Sequence, residues 1–274
     1  MNAIKYFLND IWAALMMFTR LPWWRLHQPR EEHFRNVTST WPLTGWITGG
    51  TMALTFYICI HFLPLPITVL LTILSRILLT GALHEDGLAD FIDGLGGGKD
   101  KEGILRIMKD SHIGTYGVLG LIIYLAFMFF GLQELTANFL RESLLPKSTC
   151  HNPLLMISIA LLTMDVWAKN LASLVVFQLP YDRKEEDAKI HLVYKKNSGK
   201  QLLVFLISFL PIVVLWFLAD CIPGNVAILI VPIVVQLLLV WWMKARIGGY
   251  TGDCCGALFL LTEASMLLAW LVIA

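Results

Sequence analysis

The chain has 274 residues, 57% of them hydrophobic and only 15% charged, with a formal net charge of +1. Soluble domains usually carry about a quarter charged residues. With a mean hydropathy of +0.68, the composition points to an all-α polytopic membrane protein rather than a soluble domain, and nothing in its charge calls for a nucleic-acid partner. Five cysteines, Cys59, Cys150, Cys221, Cys254 and Cys255, form an odd set without CxxC spacing. That argues against both a disulfide framework and a zinc site.

Residues 3–18 are apolar but short and contain Lys5 and Asp10, so they are expected to lie at the interface or re-enter it rather than span it. No A-x-A-like cleavage site follows, so this is not read as a signal peptide. In "TRLPWW" at 19–24, Arg20 can snorkel while Trp23 and Trp24 suit the headgroup zone. About 20 apolar residues cross a bilayer as a helix. Seven spans are predicted on that basis, at 41–63, 66–83, 114–135, 153–179, 201–219, 225–243 and 257–273. No repeat and no separate soluble domain interrupts them, so residues 1–274 read as one integral-membrane domain.

Between the second and third spans, "HEDGLADFIDGLGGGKD" at 84–100 crowds Glu85, Asp86, Asp90 and Asp93 against apolar flanks. At 3.6 residues per turn, Asp86, Asp90 and Asp93 share a sector of roughly 60°, and Glu85 falls outside it. Three crowded carboxylates repel one another unless cations neutralise them. Mg²⁺ does so with oxygen ligands, typically one or two carboxylates plus substrate phosphates. Gly87 and Gly94 leave room for a ligand at the backbone, and Gly96–Gly98 are expected to end the helix. Downstream, "RIMKDSHIGTYG" offers Arg106, Lys109 and His112 to a polyanion, and Asp110 or Ser111 as a cap for the third span. Gly114, Gly117 and Gly120 recur every three residues, the spacing of a close helix–helix contact.

In the fourth span Asp165 and Lys169 are four apart and can pair. The mixed-charge stretch 180–200 reads mostly as solvated loop, with Arg183, Lys195, Lys196 and Lys200 able to attract anions. Before the last span, "GGYTGDCCG" at 248–256 is either a turn with an Asp253 cap or a phosphate-accepting helix start with Asp253 as a further metal ligand. Lys and Arg sort strongly. The N-terminal segment and segments 84–113, 180–200 and 244–256 hold 17, and the alternate loops hold 2. Positive residues mark the cytoplasmic side, so the N-terminus is expected inside and the C-terminus outside, in a multi-pass membrane protein.

"HEDGLADFIDGLGGG" followed by "RIMKDSHIGTYGVLGL" resembles the cobalamin synthase family, the adenosylcobinamide-GDP ribazoletransferases. "FTRLP" at 18–22, "WPLTGWITGG" at 41–50, "YDR" at 181–183 and "GGYTGDCCGA" at 248–257 match in the same order. The resemblance implies a Mg²⁺-dependent transferase of cobalamin biosynthesis. It would join α-ribazole, or its 5′-phosphate, to adenosylcobinamide-GDP and release GMP. It implies Asp86, Asp90 and Asp93 as metal ligands and, with Glu85, as catalytic groups. It implies substrate binding by Arg20, Gly87, Gly94, Arg106, Lys109, Asp110, His112, Lys169, Arg183, Thr251 and Asp253. His112 and Lys169 stand where the family usually has Arg, and Cys254-Cys255 where it usually has Thr-Leu. Lys lacks the bidentate fork of Arg, and His would make the contact pH-dependent. The expected partners are these small molecules and the lipid bilayer, with homo-oligomerisation left open. Two other classes compare less well. The CDP-alcohol phosphotransferase pattern fails after Asp86-Gly87, which is followed by Leu88-Ala89-Asp90. A secondary transporter would show repeated halves.

Overall fold

The computed structural model describes residues 3–144, 152–182, 196, 198–218 and 226–273. Among these the secondary structure is helical, apart from one isolated bridge between Tyr181 and Tyr250.

Short 3-10 turns at Trp23–Arg25 and Glu31–Asn36 lead from α1 (Ala3–Phe18) into α2 (Val37–Cys59). Asp10, buried in the middle of α1, accounts for that route. Its carboxylate accepts from His33 Nδ1 at 2.7 Å and Asn36 Nδ2 at 3.1 Å, and it pairs with Lys200 at the start of α9 (Ser198–Leu218). A buried carboxylate needs such partners, so α1 is drawn onto α2 and α9, while Ile4 and Leu8 face outward.

The core sits around α7 (Pro153–Ser173), continued by α8 (Val175–Gln178); from Ile159 to Ser173 every side chain of α7 is buried. Gly45 and Gly49 let α2 lie directly against it. A Cβ would stand 2.8 Å from Val166 Cγ2 at the first and 2.9 Å from Asp165 Cβ at the second, the small-residue contact that membrane helices use. Peripheral α6 (Thr115–Ser143), α9 and α10 (Ala227–Arg246) turn Ile123, Phe130, Phe217 and Trp241 outward, as a lipid-facing surface requires.

Five helices among the described residues are long and apolar enough to cross a membrane: α6, α7 with α8, α9, α10 and α11 (Gly252–Ile273). A sixth crossing is counted if the bent pair α3 (Leu65–Thr80) and α4 (Leu83–Gly97) is one span. Seven were expected. The difference is α2, which has 23 residues but lines its buried face with Thr38, Ser39, Thr40, Thr44 and Thr48. Polar side chains that face a protein core lower a helix's hydropathy without exposing it to lipid.

The expected span 66–83 also ends early. Gly81 (φ +68°) and Ala82 (φ +57°) both adopt the left-handed conformation, and the chain turns 90° between α3 and α4. The acidic stretch therefore does not leave the protein as a polar loop. It continues as α4, at a right angle to α3 and packed against α11, α6 and α5 (Lys101–Lys109).

Candidate active site

The bend places the acids. Arg20, following α1, donates its backbone N–H to Leu79 O at 2.7 Å, and its side chain lies across Gly81, where a Cβ would overlap its guanidinium. Arg20 thus stands at the start of α4. Along α4, Asp86 is exposed, and Asp90 is 9% and Asp93 7% exposed. Asp86 and Asp90 lie one turn apart on one side of α4, as their spacing predicts, but only Asp86 is exposed and Asp90 is buried. Asp93 is engaged otherwise. Its two carboxylate oxygens accept the backbone N–H groups of Gly114 at 2.7 Å and Gly117 at 2.8 Å. It caps the N-terminus of α6, where free amides and the helix dipole favour a negative charge.

This corrects the expected cap. Asp110 accepts instead from His112, through the backbone N–H at 3.0 Å and Nδ1 at 2.7 Å. The His112 backbone contact, and then its ring, hold the Asp110 carboxyl below its ordinary range. Gly114 and Gly117 lie so close to Asp93 that a Cβ would overlap its carboxylate, and Gly120 meets Ile92. The three-residue glycine spacing is therefore a helix contact, as expected, and it seats a carboxylate as well.

The glycines of α4 serve packing rather than ligand access. At Gly87 a Cβ would stand 3.0 Å from Asp253 O, and at Gly94 2.6 Å from Met108 Cγ. The first approach sets Asp253, in the opening turn of α11, beside the acidic helix. Its expected capping role falls to Thr251, which accepts from Cys254 N at 3.4 Å and donates to Asp253 Oδ2 at 3.3 Å.

Loops close around this region. Tyr250 N donates to Pro180 O and Asp182 N to Tyr250 O, both at 3.0 Å. Lys101 pairs with Asp182 at 2.6 Å, and Arg246 Nη2 donates to Gly98 O at 2.9 Å. The glycine turn at 248–249 is therefore packed on residues 180–182 and does not form an open phosphate cradle; a Cβ at Gly249 would lie 2.7 Å from Pro180 O. The described ends of three segments, residues 98–101, 180–182 and 246–250, thus meet. Arg106, Lys109 and His112 are exposed on or just after α5. Arg183 lies outside the described residues.

Lys169 lies in the core instead. It is fully buried, donates to Thr48 Oγ1 at 2.6 Å, pairs with Asp165 and sits 4.4 Å from the Phe259 ring. Glu85 also points inward, 6% exposed, with Oε1 3.9 Å from Arg76 Nη2. Around it lies a charged cluster that reading by motif missed. Arg76 pairs with Glu263 and stands 3.8 Å from Asp165. Tyr124 OH accepts from Arg76 Nη2 and donates to Glu263 Oε2, each at 2.9 Å. His84 packs edge-on to Phe259 and lies against Trp41. Arg76 and Glu263, ionisable residues within apolar runs, were the signal available in the sequence.

Among the described residues no group of three or more His, Cys, Asp and Glu side chains is arranged to hold a metal ion. With Asp93 seated on α6, the fit left for Mg²⁺ is the pair Asp86 and Asp90, in the mode where substrate phosphates and water complete the shell.

The profile of the family described as cobalamin-5-phosphate synthase matches residues 10–271. The chain belongs to this family. Relatives named adenosylcobinamide-GDP ribazoletransferase include that of Shewanella woodyi, 31% identical over 263 residues (96% of this chain, 95% of the relative). That of Shewanella baltica strain OS185 is 32% identical over 245 residues (89% and 87%), and that of Shewanella piezotolerans 29% over 275 (100% and 98%). No solved structure matches the chain. The cobalamin-5-phosphate synthase match takes in the α3–α4 bend, the acids of α4 and the inward cluster alike.

Proposed function

We propose that the chain is an adenosylcobinamide-GDP ribazoletransferase, acting late in cobalamin synthesis at the cytoplasmic face of a bacterial inner membrane. The observation that carries this reading is the family match over residues 10–271, which includes the acidic helix and the loops packed beside it. A ribose hydroxyl of α-ribazole, or of its 5′-phosphate, attacks the phosphorus attached to cobinamide. As the new P–O bond forms, the bond from that phosphorus to the GMP oxygen breaks, GMP leaves, and the product is adenosylcobalamin or its phosphate. Phosphoryl transfer of this kind rests on positioning and charge stabilisation.

Asp86 and Asp90 would hold Mg²⁺, which when bound neutralises charge on the pyrophosphate. Arg20 at the bend and Arg106 and Lys109 on α5 draw the polyanion toward the opening. Asp253, beside Gly87, is a third carboxylate there and the acceptor for the hydroxyl proton. The excess of Lys and Arg on the four basic segments supports a cytoplasmic N-terminus and an outside C-terminus.

The test is GMP release from adenosylcobinamide-GDP by the purified chain in detergent. Release that requires α-ribazole is expected. Folded protein that releases none overturns the reading, and uptake of either compound into vesicles without that reaction indicates transport instead.

A further inference from the structure

The charged cluster behind α4 has features that packing alone does not require. Arg76 reaches carboxylates on three other helices, Glu85 on α4, Asp165 on α7 and Glu263 on α11, as well as the Tyr124 hydroxyl on α6. Both oxygens of Glu85, Asp165 Oδ2, Arg76 Nε and His84 Nε2 are buried without a hydrogen-bond partner. Glu85 is therefore held inward by charge, with the Arg76 guanidinium 3.9 Å away. An unpaired carboxylate in such a place is strongly unfavourable.

Glu85 and Asp86 are neighbours on a helix, about 100° apart around its axis. Whatever keeps Glu85 inward keeps Asp86 outward. At its far end α4 is fixed by Asp93 on the amides of Gly114 and Gly117. At its near end the chain has just passed two left-handed residues.

We propose that Arg76 is a positioning residue: by holding Glu85 in the core it sets the rotation of the first turns of α4, and so aims Asp86 and Asp90 at the substrate. The proposal rests on the transferase reading for the meaning of that aim, but not for its geometry. Glu85 then acts from behind the site, beside the inward cluster, and takes no part at the reacting phosphorus.

The geometric test needs no substrate. Asp86→Cys is placed in a chain carrying Cys59→Ser, Cys150→Ser and Cys221→Ser, and its labelling by a water-soluble maleimide is timed. Rapid labelling is expected with Arg76 present, and labelling slower by about tenfold or more in Arg76→Gln, where Glu85 leaves the core and α4 turns. Adding Glu85→Gln to Arg76→Gln removes the charge to be expelled, so labelling recovers. An Arg76→Gln chain that is folded and labels at the parent rate, or a double variant that shows no recovery, overturns the proposal.

If Arg76→Gln does not fold, Glu85→Lys in the otherwise unchanged labelling chain decides. Two like charges then drive position 85 outward, labelling slows by the same factor, and an unchanged rate overturns the proposal. In the native-cysteine chain, Arg76→Lys, which keeps the charge, should retain more of kcat than Arg76→Gln, whose loss is on the order of 100-fold for a misplaced group, with KM moved less. Absence of GMP release from the parent would end the transferase reading and leave the labelling result standing.

Discussion

Asp93 is the carboxylate of α4 whose role is most sharply defined by its contacts. It accepts two amides at the start of α6, and the glycines there leave it no space to shift. Charge-assisted bonds to backbone N–H groups are among the stronger ones, and an N-cap loss costs about 0.5–2 kcal/mol. Asp93→Ala removes the acceptor for both amides and should destabilise the protein by about 2 kcal/mol or more, read as a lowered thermal midpoint in detergent. Gly117→Ala should do likewise, because the new Cβ overlaps the carboxylate. Equal midpoints for these variants and the parent would refute the capping role. Asp86→Asn, by contrast, alters an exposed side chain and should leave the midpoint within about 0.5 kcal/mol of the parent. The three acids that spacing placed on one sector thus divide into an exposed Asp86, a buried Asp90 and a cap, Asp93. Their common face was legible from the i, i+4, i+7 pattern. The division was not, because Asp93's partners lie 21 and 24 residues further on and no local rule points to them.

At the scale of elements, the α3–α4 bend decides where the acids go. Gly81 holds a left-handed φ of +68° with Arg20 folded over it. Gly81→Ala adds left-handed strain of about 1–2 kcal/mol and a steric conflict with Arg20. It should lower both the thermal midpoint and turnover; a variant with full activity and stability would show that the bend does not position the site. Hydropathy could not reveal this turn. The run 66–83 is apolar overall despite Arg76, and apolarity does not report φ. The helical reading of the acidic stretch, ended by Gly96–Gly98, agrees with α4. Helix α4 is acidic on the face at the opening, while Leu88 and Phe91 go to the core. Helix α2 falls below the hydropathy of a span because its threonines face the core rather than interrupting a lipid-facing surface. The loops at 180–182 and 246–250 pair across a distance in sequence that only the folded chain closes.

For the whole molecule, the question is how a bundle so apolar accommodates buried charges on α3, α4, α7 and α11. It does so by pairing: Lys169 with Asp165 and Thr48, and Arg76 with Glu263 and Tyr124. Removing one partner of a buried pair costs about 3–5 kcal/mol, whereas replacing both by apolar groups is often close to neutral. Lys169→Met should therefore strongly lower the yield of folded protein and its thermal midpoint, and adding Asp165→Asn should recover part of the loss. No recovery would indicate that Lys169 acts through something other than the pair. The i, i+4 spacing of Asp165 and Lys169 made their pairing legible in advance. The Arg76–Glu263 pair spans 187 residues and was not. Residues 98–101, 180–182 and 246–250, which belong to three of the Lys- and Arg-rich segments, are brought together by loop contacts.

We propose that Asp86 and Asp90 form the Mg²⁺-dependent edge of a transferase site on α4. The most direct test is the Mg²⁺ dependence of α-ribazole-dependent GMP release for the parent, Asp86→Asn and Asp90→Asn, each checked for an unchanged thermal midpoint. Loss of an electrostatic contact at the transition state typically costs on the order of 100-fold or more in turnover. Each variant should show a loss of that order at limiting Mg²⁺, partly relieved as Mg²⁺ is raised. Turnover by both variants equal to the parent at limiting Mg²⁺ would contradict the account.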